Sequence, residues 1–297
     1  MKNNFIEIIK KLRSKIYFNY NVGKLTWFRT GGKAKVFIIV ENSHELEIIL
    51  NELDNKNFYI LGAGSNLLIR DKGFNGIIIK LGKGFNNLRI FEDKLEVGAS
   101  TLDVNLSKFA YKNNISGLEF FSGIPGSVGG AVKMNAGCFG SETKNVLKDI
   151  QTINSDGEIK IYNKDKIKLS YRNSKLPLGD IILSANFNYS TGDKDEISNK
   201  MNEIKIKREA SQPIKFKTSG STFKNPKNEY AAKLIEMSGC KGLKVGDALV
   251  SEKHANFLIN SNNASASQIE ELGKRIIDKV YKKFNIVLEW EIKILGN

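Results

Sequence analysis

Residues 122–140 read SGIPGSVGGAVKMNAGCFG, with glycine at positions 123, 126, 129, 130, 137 and 140 around a single proline, Pro125. Side chains are nearly absent here, so the main chain itself must be the working surface. Glycine admits positive φ and lets bare N–H groups approach a ligand, and consecutive inward N–H groups cradle phosphate oxygens. A flexible linker would be polar and repetitive. This run is instead flanked by Leu118, Phe120 and Phe121 and carries Ala131, Val132 and Met134, which calls for burial. A second small-residue loop, Gly62-Ala63-Gly64-Ser65-Asn66, follows the apolar run Phe58-Tyr59-Ile60-Leu61. Leu67 stands where the dinucleotide signature G-x-G-x-x-G needs its third glycine, and no Gly-Lys pair is followed by Ser or Thr as a P-loop requires. What remains is a turn offering N–H groups, the Ser65 hydroxyl and the Asn66 amide to phosphate or ribose oxygens. A plain strand-connecting turn fits those residues equally well.

The chain has 297 residues, of which 41% are apolar, so two domains with their own cores are the natural division. Its net charge of +14 suits an anionic ligand. The lysines are scattered along the whole length without a basic block, and the aromatics fall at buried-looking positions, which argues against a nucleic-acid binder. Cys138 and Cys240 are far apart, and with only His44 and His254 beside them they make neither a disulfide framework nor a metal cluster. No apolar run has the length of a membrane span or the character of a signal peptide, so the expected compartment is the reducing cytoplasm.

Hydrophobic spacing predicts an amphipathic helix over 3–16, a strand over 34–40, a helix from Ser43, and buried strands at 58–61 and 77–81. It continues with a strand pair in 88–98, a helix over 101–112, a hairpin joining 150–153 to 159–162, and a strand over 180–189. A polar, turn-rich stretch at 190–195 marks a domain boundary near 192, followed by a charged helix over 195–209. Helices over 231–238 and from Ser267 to about Phe284, then a strand over 286–295, complete an α+β chain. The expected division is a lead-in over 1–25, a first domain over 26–192 and a second over 193–297.

Two glycine cradles followed by a basic second domain resemble the FAD-binding domain of the vanillyl-alcohol-oxidase type. That fold has two α+β subdomains, followed here by a smaller α+β substrate domain. Six motifs sharpen the likeness: LGAGSNLLIRDKGFNGIIIKL (61–81), GIPGSVGGAVKMNAGCFG (123–140), LSYRNS (169–174), GSTFKNP (220–226), VSEKHANFLIN (250–260) and LEWEI (288–292). In this order they resemble the UDP-N-acetylenolpyruvoylglucosamine reductase family in its shorter form. The resemblance implies noncovalently bound FAD, NADPH as co-substrate and a UDP-sugar nucleotide substrate. It implies hydride delivery to C3 of an enolpyruvyl ether, yielding UDP-N-acetylmuramate for peptidoglycan and cell-wall synthesis. A cytoplasmic monomer that neither binds nucleic acid nor inserts into a membrane is expected.

By the same resemblance, Arg172, Ser221 and Glu291 are catalytic. Hydride arriving at C3 builds charge over C2 and the carboxylate, so a bidentate guanidinium suits Arg172, and Ser221 is the proton donor to C2. Glu291 assists protonation or polarises the substrate; strand alternation alone would put it with Glu289 on a solvated face. The cofactor-binding residues implied are Gly62, Gly64, Ser65, Asn66, Leu67, Pro125, Gly126, Ser127, Gly129, Gly130, Asn135 and Arg208. Those implied for substrate are Tyr171, Lys224, Asn225, Lys253 and Asn256. Two departures stand out: the extra loop with a substrate-binding tyrosine is missing, and the family's final Glu-hydrophobic-Arg becomes Glu291-Ile292-Lys293. A different flavin oxidase or dehydrogenase on the same scaffold would keep both cradles without needing Arg172, Ser221 and Glu291 together.

Overall fold

The computed structural model describes residues 5–53 and 57–297. They form two compact units: the chain up to Phe18 with Val36–Ala63 and Gly76–Ile206, and Asn19–Lys35 with Gly64–Asn75 and Lys207–Asn297. Where the sequence reading draws one cut near 192, these units interleave, the second taking two segments from the N-terminal half.

The N-terminal unit is built on a five-stranded antiparallel sheet. Its order is Ile159–Asn163, Leu147–Ile153, Ile181–Phe187, Lys94–Gly98, Leu88–Phe91. The central strand Ile181–Phe187 is buried at every position, as a near-continuous run of apolar and small residues covered on both faces must be. The hairpin between Leu147–Ile153 and Ile159–Asn163 closes on Asn154, whose Oδ1 accepts from the N–H groups of Asp156 (3.0 Å) and Glu158 (2.8 Å). A second sheet orders Lys15–Tyr20, Ala34–Val40, Phe74–Leu81 and Phe58–Ile60, the last two parallel. The helix Ser43–Glu52 starts where the Asn42 side chain accepts from the Glu45 N–H (2.9 Å), and it buries Leu46, Ile49 and Leu50. The N-terminal helix departs from expectation: it covers only Phe5–Ile9, and Lys15–Tyr20 is a strand, while positions 3 and 4 lie outside the described residues. Ile16 keeps helical spacing with Leu12, but the run Lys15-Ile16-Tyr17-Phe18 favours a strand by propensity, and sheet pairing wins.

The C-terminal unit has its own core. The helix Ala266–Phe284 buries Ile269, Leu272, Ile276 and Val280 at spacings of three and four. A capping box between Ser265 and Gln268 starts it at Ala266 rather than Ser267. Beside it stands a three-stranded antiparallel sheet, Lys244–Val245, Ala248–Val250 and Leu258–Asn260. Gly273 lets Trp290 lie against the helix, for a Cβ there would meet the indole at 2.0 Å. The closing strand is shorter than expected: only Lys293–Leu295 is regular, pairing in parallel with Leu67–Ile69.

Candidate active site

In the N-terminal unit the glycine stretch is anchored by aromatic packing. Phe120 and Phe121 lie with ring centroids 4.2 Å apart, and Phe121 meets Phe187 edge-on at 5.5 Å. The chain then turns tightly across Pro125, with the Gly126 N–H donating to Ile124 O (3.1 Å), and enters the short helix Val128–Lys133. The N–H groups of Val128 and Gly129 donate to Thr101 O and Ala99 O, both at 2.9 Å, so these two donors are committed within the fold. Gly129 therefore serves close packing, since a Cβ there would stand 3.1 Å from that of Ala99. The two glycine loops meet at exposed Gly62, where a Cβ would stand 2.8 Å from the Ser127 hydroxyl. Gly130, also exposed, faces the same hydroxyl.

Beneath Gly126 lies Asp103, fully buried, with neither carboxylate oxygen hydrogen-bonded. Burial pushes its pKa well above the usual carboxylate range, which favours the neutral acid and spares the adjacent loop a negative charge. Backbone kept bare by glycine, a hydroxyl between the two loops and a neutralised neighbouring carboxyl are a donor set that fits the diphosphate of FAD.

The same unit presents Arg172. Ser170 and Asn173 exchange N–H···O bonds of 3.0 and 3.1 Å around a two-residue turn, Tyr171-Arg172. Arg172 sits at φ +53°, a conformation that non-glycine residues avoid, and its guanidinium lies 5.3 Å from the Tyr171 ring centroid. Asn135 fixes this turn. Its Nδ2 donates to Ser170 O (3.2 Å) and Glu142 Oε2 (2.6 Å), and its Oδ1 accepts from the Lys144 N–H (2.9 Å). At 1% exposure Asn135 is committed to the fold, not to a ligand-facing surface. Ser174 Oγ adds a bond to Lys133 O at 2.9 Å.

The C-terminal unit brings Ser221, Glu291 and the Gly64-Ser65-Asn66 turn together. Ser221 pairs with Phe257 as an isolated bridge, and Thr222 N–H donates to Asn256 O (2.8 Å). The Glu291 N–H donates to Thr222 O at 2.8 Å, and Trp290 packs on Phe223 with centroids 5.0 Å apart. Asn66 Nδ2 donates to Glu291 O (3.1 Å) while Asn66 O accepts from the Lys293 N–H (3.1 Å). Gly64 holds this loop at φ +71°, where a Cβ would stand 2.6 Å from Leu25 O. Leu67 is buried in the strand that follows.

The other sequence candidates have varied surroundings. Asn256 is buried and hydrogen-bonds the Phe223 backbone on both sides, at 2.9 and 2.8 Å, which withdraws it from direct substrate contact. Asn225 Oδ1 accepts from Ala231 N–H (3.0 Å) at the start of the helix Ala231–Met237. Lys224 Nζ pairs with Glu289 at 3.0 Å, an exposed contact worth under about 1 kcal/mol that a phosphate could displace. Lys253 Nζ donates to Glu209 O, and Arg208 Nε donates to Gln212 Oε1 (3.1 Å) at the end of the helix Lys194–Ser211. Tyr171 is exposed. His254 packs edge-on against Phe257, with centroids 4.6 Å apart. Sequence reasoning missed Asp103, and also Thr218 and Ser219, whose buried hydroxyls beside Ser221 have no hydrogen-bond partner. Among the described residues no cluster of His, Cys, Asp and Glu could hold a metal, and no helix is long and apolar enough to cross a membrane.

Residues 34–162 match the family model of the FAD binding domain, and residues 212–295 match that of the UDP-N-acetylenolpyruvoylglucosamine reductase C-terminal domain. The reductase of that name from Rickettsia conorii is 43% identical over 282 residues, 94% of this chain and 95% of its own. This chain belongs to the UDP-N-acetylenolpyruvoylglucosamine reductase family. The reductase of Gluconobacter oxydans is 39% identical over 97% of this chain and 94% of its own. A crystal structure of the reductase from Thermus caldophilus matches with a TM-score of 0.83 at 35% identity, covering 96% of this chain and 99% of that one. Outside the reductases, Phl p 4.0202, a glucose dehydrogenase, shares the fold alone, with a TM-score of 0.50 and 11% identity over 65% of this chain and 45% of its own. In this reductase the FAD binding match contains both glycine loops and the C-terminal match contains Ser221 and Glu291. Arg172 and Arg208 fall between the two.

Proposed function

We propose that this chain reduces the enolpyruvyl ether of UDP-N-acetylenolpyruvoylglucosamine to UDP-N-acetylmuramate for peptidoglycan, using NADPH, with Arg172, Ser221 and Glu291 as its catalytic residues. The observation that carries the reading is the match to a reductase of that activity name along nearly the whole of both chains. FAD, when bound, supplies the redox chemistry by taking a hydride from NADPH and passing it to the substrate carbon. The backbone and hydroxyls around Gly62, Gly126, Ser127 and Gly130 would hold its diphosphate, without a covalent link.

The residues of the chain then meet the remaining demands of the reaction. Addition of hydride at C3 leaves a pair of electrons spread over C2 and the carboxylate, so a fixed cation is needed at the carboxylate and a proton at C2. Arg172, its backbone held by the turn 170–173, offers a guanidinium that can grip both carboxylate oxygens. Ser221 Oγ gives its proton to C2. A hydroxyl is a weak acid in water, so this role needs a half-buried site, which position 221 has. Glu291, whose N–H donates to the carbonyl of the residue after Ser221, is assigned the task of polarising the donor or returning a proton to it. Lys224, in the turn that follows Ser221, and Lys253 are the cations we assign to the UDP diphosphate. The substrate and NADPH are water-soluble anions, and we assign the enzyme to the cytoplasm as a monomer.

Purified protein should be yellow and release FAD on heating. It should oxidise NADPH only when UDP-N-acetylenolpyruvoylglucosamine is present, with a product heavier by two hydrogens. A colourless protein, or NADPH oxidation indifferent to that substrate, would overturn the proposal.

A further inference from the structure

We propose that Asn256 is the positioning residue of the Ser221 loop, its side-chain amide acting as a two-point clamp on Phe223 that fixes where the Ser221 hydroxyl points. The inference rests on the reading of Ser221 as proton donor and goes beyond it to the device that aims that donor.

The loop is constrained unequally on its two sides. Upstream of Ser221, Gly220 takes φ +75° with open space where a Cβ would be, and the Thr218 and Ser219 hydroxyls are buried without a hydrogen-bond partner. The tie on that side is more remote, at Lys217, whose carbonyl accepts from the Asn260 N–H (2.9 Å). Downstream, the Phe223 N–H donates to Asn256 Oδ1 (2.9 Å) and Phe223 O accepts from Asn256 Nδ2 (2.8 Å). A planar amide bonded on both sides to one residue's backbone defines distance and orientation together, as a neighbouring strand would. The main chain of the same segment adds two rungs, Thr222 N–H to Asn256 O at 2.8 Å and the bridge between Ser221 and Phe257. Both partners are buried, Asn256 at 4% and Phe223 at 1%, so water cannot replace either bond cheaply.

The clamp also sets the relation between Ser221 and Glu291. Thr222 O, between Ser221 and the clamped Phe223, accepts the Glu291 N–H at 2.8 Å, and Phe223 carries the ring on which Trp290 packs. Loss of the amide would release two buried backbone groups of Phe223 and shift the donor and the carboxylate together. A displacement of about 1 Å in a reacting group can cost roughly 10²-fold in rate.

A double-mutant cycle on the full-length FAD-loaded protein tests this, using Asn256→Ala, Ser221→Ala and the pair. Anaerobic stopped-flow absorbance follows flavin reduction by NADPH and then reoxidation by UDP-N-acetylenolpyruvoylglucosamine. Asn256→Ala should slow reoxidation roughly 10²-fold while NADPH reduction and FAD content stay at wild-type levels. In the Ser221→Ala background it should add no further loss, because there is no longer a donor to aim. Asn256→Asp retains the acceptor for the Phe223 N–H but loses the donor to its carbonyl, so it should fall between; it carries the cycle if Asn256→Ala does not fold. Equal factors in both backgrounds, or equal slowing of both half-reactions, would show a merely structural amide and overturn the proposal while the role of Ser221 stands. Wild-type reoxidation in Ser221→Ala would instead overturn the proton-donor reading, and this proposal with it.

Discussion

Arg172 and Ser221 are both held on short non-helical turns by a buried asparagine, but they reach their positions by opposite means. At Arg172 the functional residue itself takes the left-handed conformation, φ +53°, inside a two-residue turn that Asn135 ties through Ser170. At Ser221 the left-handed residue is the preceding Gly220, and the serine lies in a strand-like bridge to Phe257. An arginine in that backbone region costs roughly 1–2 kcal/mol, whereas glycine adopts it freely. The N-terminal unit thus carries backbone strain at the proposed catalytic side chain, and the C-terminal unit passes it to a residue without one. Strain tolerated at such a point accords with a functional demand on the arginine's direction.

A large effect should come from Arg172→Lys, which keeps charge but loses the planar fork. Steady-state kcat/KM for the enolpyruvyl substrate should fall by about 10²-fold, the equivalent of one charge-assisted hydrogen bond of about 1.5–3 kcal/mol. Near-normal turnover would mean that carboxylate recognition lies elsewhere. Asn135→Ala should destabilise the N-terminal unit by about 1–3 kcal/mol in urea unfolding, since the buried amide gives up its bonds to the Ser170 carbonyl, the Glu142 carboxylate and the Lys144 N–H, each worth roughly 0.5–1.5 kcal/mol. Arg172→Gly should separate the two kinds of cost: activity is lost, yet unfolding free energy rises by up to about 1 kcal/mol as the strain is relieved. A loss of stability in that variant would remove the contrast between the two turns.

The smallest effect concerns pH and the buried acid under Gly126. Burial raises the folded-state pKa of Asp103 above its unfolded value, so the folded chain binds more protons than the unfolded chain between the two. Its contribution to stability is complete below the unfolded pKa, near 4, and is lost as pH rises through the raised value. Asp103→Asn should flatten stability against pH over that window in urea titrations. An unchanged slope would mean that another group titrates there.

Much of this was legible in the residues. The hairpin over 147–163 and the long helix ending at Phe284 follow from strong local periodicity and turn chemistry, and the six ordered motifs carried the family. The interleaving of the units was not legible, because it rests on contacts such as Asn260 Nδ2 to Phe28 O, 232 positions apart. The last strand was overread for a similar reason: 286–292 has strand-like alternation, but only Lys293–Leu295 finds a regular partner, at Leu67–Ile69. The asparagines show the same limit at the level of single residues. An amide in a motif looks like a ligand, and only the fold reveals that Phe223, Ser170 and Glu142 occupy it.

The most direct test of the division of labour is anaerobic single turnover of Ser221→Ala. Flavin reduction by NADPH should run at the wild-type rate, and reoxidation by UDP-N-acetylenolpyruvoylglucosamine should slow by roughly 10²–10⁴-fold, the usual contribution of a positioned general acid. Reoxidation at full speed, or equal loss of both phases, would contradict the account.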